Sequence, residues 1–269
     1  MNDSSFRSSA APIALITGAA SGLGLDLAKQ LAGRYQLILV DIDLEYLQQQ
    51  SLELVNAACY GCDLADGKGV DELCELLKLQ YQRIDLLINN AGITHRSLAK
   101  VTRPAVIEKI MAVDYFAPVR LTHGLLPLLE VAAGKVVNIS SMAGWMPVMA
   151  RAGYCAAKSA LHQYFETFRA EIKRSGVSVL MVYPSFLDTP IDNNALNGEG
   201  GKTKHARSMV GKMRSSHWMA QQICAAISVD KERLFPDRFT HVSSLLYRLM
   251  PRLFMHLMSR KFASELEVN

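Results

Sequence analysis

The sequence predicts an α/β fold, a parallel sheet with helices packed on both faces. Short, continuously apolar runs alternate with stretches of helical periodicity from Ile13 to Tyr183. The first apolar run ends in a glycine-rich turn that opens a helix. Strands buried on both sides read as unbroken apolar runs, which is the pattern here. No internal repeat and no long linker divides the chain, so a single domain over residues 12–269 is expected.

The elements follow in order. Residues 13–17 form the first strand run and 22–32 the first helix. Residues 36–40 form a second strand run ending at Asp41, then 44–55 are helical and 57–62 strand-like. Helical periodicity covers 67–81, and the apolar run 84–88 leads into Asn89-Asn90-Ala91-Gly92. Thr102 is placed to cap a helix with Pro104 in its first turn. That helix is expected to reach Leu129, with Pro118 and Pro127 as kink points. Residues 135–139 are a strand, 153–175 a long helix, and 177–183 a strand stopped by Pro184. Residues 190–214 are irregular and carry Gly198, Gly200 and Gly201. A loop there, past a strand's carboxyl end, fits either a substrate lid or a surface insertion.

Composition narrows the function. With 50% hydrophobic and 20% charged residues, the 269-residue chain can bury a sizeable core. A net charge of +4 with no Lys/Arg run of five is no nucleic-acid signature. No stretch reaches the roughly 18 apolar residues of a membrane span. Residues 1–11 are polar and Ser-rich with no apolar core of a signal peptide, so a flexible tail is expected. The 5 cysteines, an odd number, point to reduced thiols and a cytoplasmic setting. Cys59-x-x-Cys62 has no second pair at a zinc spacing, so it reads as small buried residues, and no metal is expected.

The turn Thr17-Gly18-Ala19-Ala20-Ser21-Gly22-Leu23-Gly24 has the context of a phosphate cradle. Glycines admit a pyrophosphate close to the backbone, and the helix start offers free N–H groups. Asp41, at the end of the second strand, can accept hydrogen bonds from both adenosine ribose hydroxyls and would repel a 2′-phosphate. Neither Ser21 nor Ile42 supplies a cation, so NAD is expected over NADP. Asp63 can reach the adenine edge, cap the next helix, or do both.

Tyr154 and Lys158 stand four apart, hence on one helix face. An ammonium beside a phenol favours the phenolate, so the tyrosine pKa is expected to fall toward the working pH. Such a phenol exchanges a proton with an alcohol or carbonyl oxygen.

Taken together, these motifs resemble the short-chain dehydrogenase/reductase family over residues 12–190. They are Thr17-Gly18-x-x-x-Gly22-x-Gly24, Asn89-Asn90-Ala91-Gly92, a serine thirteen residues before the tyrosine, and Tyr154-x-x-x-Lys158. The resemblance implies a Rossmann-type doubly wound sheet of about seven strands, nicotinamide-dependent alcohol–carbonyl chemistry, and homodimers or homotetramers. It implies a dinucleotide site of Gly18, Ser21, Gly22, Leu23, Gly24, Asp41, Asp63, Leu64, Asn90, Ala91, Gly92, Tyr154, Lys158, Pro184, Leu187 and Thr189. Of the adjacent Ser140 and Ser141, only Ser141 has the family spacing and is assigned the substrate-oxygen hydrogen bond. Two positions depart from the pattern. Asp114 stands where the family usually has an asparagine, which implies either a proton relay with altered pH dependence or a solvated or capping acid away from the relay. Ser185 stands where the family usually has glycine.

The expected catalytic set is therefore Ser141, Tyr154, Lys158 and Asp114. Met142, Trp145 and Met149 lie between Ser141 and Tyr154, with Met146 and Val148, and point to a lipophilic substrate such as a steroid, retinoid or acyl compound. Ordinary packing explains such a segment equally. Residues 243–262 pair apolar Leu245, Leu246, Leu249, Met250, Leu253, Phe254, Leu257 and Met258 against a basic stripe of Arg248, Arg252, His256 and Arg260, with Pro251 a break. This amphipathic segment fits a membrane surface, a pocket cover or a partner subunit. The rival readings are an NADP-linked carbonyl or acyl reductase and a non-catalytic NAD sensor.

Overall fold

The computed structural model describes residues 11–203, 213–236 and 238–263. The tail expected over 1–11 falls, apart from Ala11, outside them, as do residues 204–212 of the irregular stretch. The elements run β1 (Ile13–Thr17), α1 (Gly22–Leu31), β2 (Gln36–Asp41), α2 (Leu44–Gln50), β3 (Ala57–Gly61), α3 (Gly67–Gln80) and β4 (Leu86–Asn89). Then come α4 (Pro104–Met111), a π-helical turn (Ala112–Phe116), α5 (Ala117–Gly124), α6 (Leu126–Ala132), β5 (Lys135–Ile139), α7 (Ala152–Glu171) and β6 (Ser178–Val182). The chain closes with β7 (Leu187–Asp188), β8 (Arg214–Ser215), α8 (Ser216–Ser228), β9 (Arg233–Leu234), α9 (Arg238–Leu249) and α10 (Pro251–Lys261).

Seven strands form one parallel sheet in the order β3-β2-β1-β4-β5-β6-β9, a doubly wound Rossmann-like arrangement. Successive residues of a strand face opposite sides. Ile13 and Leu15 accordingly join the core beneath α3, α5 and α7, while Ala14 and Ile16 join the core beneath α1 and α8. The connection direction reverses between β1 and β4, so a crevice opens at their carboxyl ends.

Several boundaries differ from the sequence reading. The second helix stops at Gln50, because 51–55 turn back toward β3. The expected 102–129 helix divides into α4, the π turn, α5 and α6. Pro118 lies in the first turn of α5 and Pro127 in that of α6, so both prolines begin helices instead of kinking one. Thr102 does not cap α4. Its hydroxyl turns back to the Leu98 carbonyl at 2.8 Å, and Arg103 occupies the cap position. Helix α7 ends at Glu171 and a 3-10 turn completes it to Ser175. Cys59 packs on the α1/α8 side and Cys62 on the other, so the C-x-x-C pair diverges across the sheet.

Candidate active site

The β1–α1 turn sits in the crevice. Gly18 has φ +64, and a Cβ there would stand 2.9 Å from the Ala91 Cα. A Cβ on Gly24 would stand 2.0 Å from the Gly18 carbonyl oxygen, closer than atoms pack. The turn is thus as narrow as glycine allows. Thr17 is buried, and its hydroxyl accepts the Asn90 and Ala91 N–H groups, each at 3.0 Å. The Asn90 amide donates to the Thr17 and Gly18 carbonyls at 2.9 and 3.2 Å. These bonds lock the turn to the segment after β4. Ser21 starts α1 without a side-chain capping bond. The helix therefore presents unspent N–H groups and its positive end to the crevice.

A cavity of about 520 Å³ fills the crevice. The predicted dinucleotide residues line it, with two exceptions. Gly24 lies behind Gly18, where it lets the turn close. Lys158 lies behind the wall, buried. At the rim, Asp41 accepts the Ala20 N–H at 2.9 Å and the Asp43 N–H at 3.3 Å, which fixes its carboxylate. Ile42 beside it is exposed and carries no charge. Asp63 accepts the Ala65 N–H at 2.9 Å, and α3 is capped by Asp66. The cap expected of Asp63 therefore belongs to Asp66, three residues on. A glycine cradle, a free helix start and a rim carboxylate together fit a dinucleotide.

The titratable groups meet at the other end. Ser141 follows β5, and its Oγ accepts the Ala143 N–H at 3.1 Å. That leaves its O–H free to donate into the cavity, whose wall Ser141 shares with Tyr154. Ser140 turns inward, 3.5 Å from the Lys158 carbonyl oxygen. Tyr154 is half-buried on the cavity wall, with the Lys158 Nζ 5.7 Å from its ring centre. Lys158 Nζ donates to the Ile139 carbonyl at 3.0 Å and stands 3.2 Å from Asp114 Oδ2. Asp114 is fully buried in the π turn, and its Oδ1 accepts the Ile93 N–H at 2.8 Å. The extra residue of a π turn re-aims the side chains it carries. Here the carboxylate turns inward beside the lysine, and a solvated or capping role for it does not hold.

The electrostatics correct one expectation. Tyr154 is raised above its ordinary value, because burial outweighs the lowering by Lys158 and by Ser141, and Asp114 adds to the rise. The lysine acts in the expected direction without prevailing. Lys158 itself is raised. Burial pulls it down, but Asp114 and Tyr154 together push it further up. Burial raises Asp114, while Lys158 and the Ile93 N–H pull it partway back.

The substrate wall differs from the sequence reading in two residues. Met142 lines the cavity, as do Met146 and Val148. Trp145 does not. Its ring packs edge-on to Tyr183 at 5.2 Å and to Phe235 at 5.3 Å, with the Arg248 guanidinium 3.9 Å above it. Met149 packs behind the wall against the cluster of Phe254, Met258 and Phe262. The 3-10 turn Met142–Gly144 rotates Trp145 away from Ser141, which linear spacing could not show. Phe254, Met258 and Phe262 line the cavity, so α10 covers it. Arg248 leaves the expected basic stripe to stack on Trp145. The described part of the irregular stretch is pinned. Leu196 N–H donates to the Thr94 carbonyl at 2.9 Å, Arg96 N–H to the Leu196 carbonyl at 2.7 Å, and Arg103 N–H to the Gly198 carbonyl at 2.9 Å.

Two neighbours of the site were not singled out from the sequence. Arg151 lines the cavity. His95 is fully buried, and its Nε2 accepts the Gly153 N–H at 2.9 Å, one residue before Tyr154. That acceptor role places its proton on Nδ1, 3.0 Å from Ser97 Oγ. Burial, aided by Arg151, lowers its pKa to about 4. Neither residue belongs to a repeating pattern, so nothing in the sequence marked them.

Comparison with known proteins agrees with this geometry. The short chain dehydrogenase family model matches residues 12–200. The chain is 32% identical over 266 residues to dehydrogenase/reductase SDR family member 7B of Bos taurus, covering 94% of this chain and 82% of that protein. A short-chain dehydrogenase from Streptomyces avermitilis superposes with TM-score 0.80 at 26% identity, covering 96% of this chain and 98% of that one. A metagenomic short-chain oxidoreductase in complex with NADP gives 0.67 at 25% identity, covering 83% and 93%. A 4-hydroxyisoleucine dehydrogenase complexed with NADH gives 0.63 at 26%, covering 67% and 75%.

Proposed function

Because the chain belongs to the short-chain dehydrogenase/reductase family, we propose that it is an NAD-dependent oxidoreductase interconverting an alcohol and a carbonyl on a lipophilic substrate, with Tyr154 as general acid and base. The observation that carries this reading is that Ser141 and Tyr154 share the cavity wall, with the Lys158 Nζ 5.7 Å from the Tyr154 ring centre behind it. Asp41 favours NAD, since its carboxylate would repel a 2′-phosphate and uncharged Ile42 beside it offers no counter-ion.

The bound nicotinamide supplies the hydride acceptor or donor. The protein supplies position and proton transfer. In oxidation, Tyr154 Oη takes the hydroxyl proton as the carbinol C–H leaves with its electron pair. In reduction it returns the proton to the carbonyl oxygen. Ser141 Oγ donates a hydrogen bond to that oxygen. Two N–H bonds of Lys158 are engaged by Ile139 and Asp114, and its third would be the one left to hold a nicotinamide ribose hydroxyl. Asp114 fixes the lysine's charge and position. Met142, Met146, Val148 and the α10 phenylalanines favour an apolar body such as a steroid, retinoid or acyl chain.

Reduced-nicotinamide absorbance across a panel of lipophilic secondary alcohols, run with NAD and NADP, tests this. Turnover with NAD upholds it. Turnover with NADP alone establishes the reductase reading, for which the NADP-bound relative speaks. Binding of NAD without turnover of any alcohol makes the protein a sensor.

A further inference from the structure

Helices α9 and α10 have an outer face as apolar as the inner one. Leu245 and Leu249 on α9 are 47% and 80% exposed, and Leu253 and Leu257 on α10 are 40% and 48% exposed. Spacings of four place each pair on one side of its helix. Next to the α10 pair run Arg252, His256 and Arg260, all exposed, followed by Lys261. From Arg238 to Lys261 the sequence holds five Lys/Arg and no Asp/Glu, while the whole chain's surplus is only +4. This short pair of helices therefore carries all of the protein's excess positive charge. An apolar stripe bordered by cations is the pattern of a helix lying in a bilayer interface. A second copy of this face would bring like charges together, which disfavours self-association through it. Among the described residues no helix is long and apolar enough to cross a membrane.

We propose that α9 and α10 dock the protein on an anionic lipid bilayer, with Leu245, Leu249, Leu253 and Leu257 inserted and Arg252, Arg260 and Lys261 at the headgroups. The inner face of α10 lines the cavity through Phe254, Met258 and Phe262. Docking thus sets the cavity beside a reservoir of apolar molecules. Its purpose rests on the lipophilic-substrate reading, but the contact itself does not.

Vesicle co-sedimentation of the full chain, without cofactor or substrate, reads the contact directly. Vesicles of phosphatidylcholine with phosphatidylserine should bind on the order of 100-fold tighter than phosphatidylcholine alone, and molar salt should abolish the difference. Leu253→Asp with Leu257→Asp should abolish binding, as should Leu249→Asp as an independent disruption on α9. Arg252→Glu with Arg260→Glu should remove the preference for anionic vesicles. Far-UV circular dichroism and thermal melting check that each variant folds. The proposal is overturned if the native protein ignores vesicles, or if folded variants bind them unchanged. It is also overturned if sedimentation velocity shows a wild-type oligomer that the leucine variants dissociate while vesicle binding is absent. A protein that binds vesicles yet oxidises no lipophilic alcohol retains the docking and loses the proposed function.

Discussion

Lys158 and Asp114 form a buried ion pair, 3.2 Å from Nζ to Oδ2, directly behind Tyr154. The carboxylate reaches Lys158 because the π turn carries it inward, and Gly92 leaves room for it. A Cβ on Gly92 would stand 3.2 Å from Asp114 Oδ2. The pair holds the lysine protonated while weakening the positive field on the phenol.

The first prediction follows from that field. Asp114→Asn removes the negative charge that raises Tyr154. The phenol then ionises at lower pH, so the rising limb of the oxidation rate moves to lower pH. A pH–rate profile that does not move contradicts the assignment of Asp114 to the relay.

The two adjacent serines should separate cleanly. Ser141→Ala removes the hydroxyl donor that shares the cavity wall with Tyr154 and should lower kcat by roughly 10²-fold or more, on the scale of one transition-state donor. Ser140→Ala loses only a long contact to the Lys158 carbonyl and should cost less than about 1 kcal/mol of stability, with kcat near normal. Tyr154→Phe should lower turnover by roughly 10²- to 10⁴-fold with cofactor binding retained. Steady-state kinetics and cofactor fluorescence titration check both claims.

Gly24→Ala tests the cradle. Its methyl would meet the Gly18 carbonyl oxygen at 2.0 Å and the Asn90 side-chain amide at 2.7 Å, and the Gly18 backbone cannot yield as a side chain could. Cofactor affinity should fall at least tenfold, and the melting temperature should drop. Gly33→Ala, where a Cβ meets nothing within 4 Å, is the control.

His95 predicts an acid limit to stability. Its folded pKa, about 4, lies below the ordinary 6.5, so the unfolded chain takes up the proton first. Stability is complete above pH 6.5 and is lost as pH falls toward 4, by roughly 3 kcal/mol at most from this group. Urea unfolding across that window should show the slope. His95→Gln should flatten it while costing about 1 to 2 kcal/mol at neutral pH through the lost Gly153 bond.

Much of this was legible in the sequence because local chemistry fixes it. The glycine turn, the four-residue spacing of Tyr154 and Lys158 and the apolar strand runs each constrain the backbone by themselves. Trp145 was misplaced because a three-residue turn decides its direction, and that turn answers to packing against Tyr183 and Phe235. The tyrosine's acidity was misjudged for a similar reason. The neighbouring cation is visible in the chain, whereas burial is a property of everything around it. His95 escaped notice because a contact across 58 residues brings it to the start of α7, and Arg151, which directly precedes α7, because only the fold turns it to the cavity.

Since Phe254, Met258 and Phe262 supply one wall of the chamber, the α10 segment limits the girth of what can enter. Trimming the chain ahead of Pro251 would convert an enclosed room into an open trough without touching a single proton-handling group. The width of the chamber and its proton chemistry thus reside in separate stretches of the sequence, 251–262 and 114–158, and can be altered one at a time.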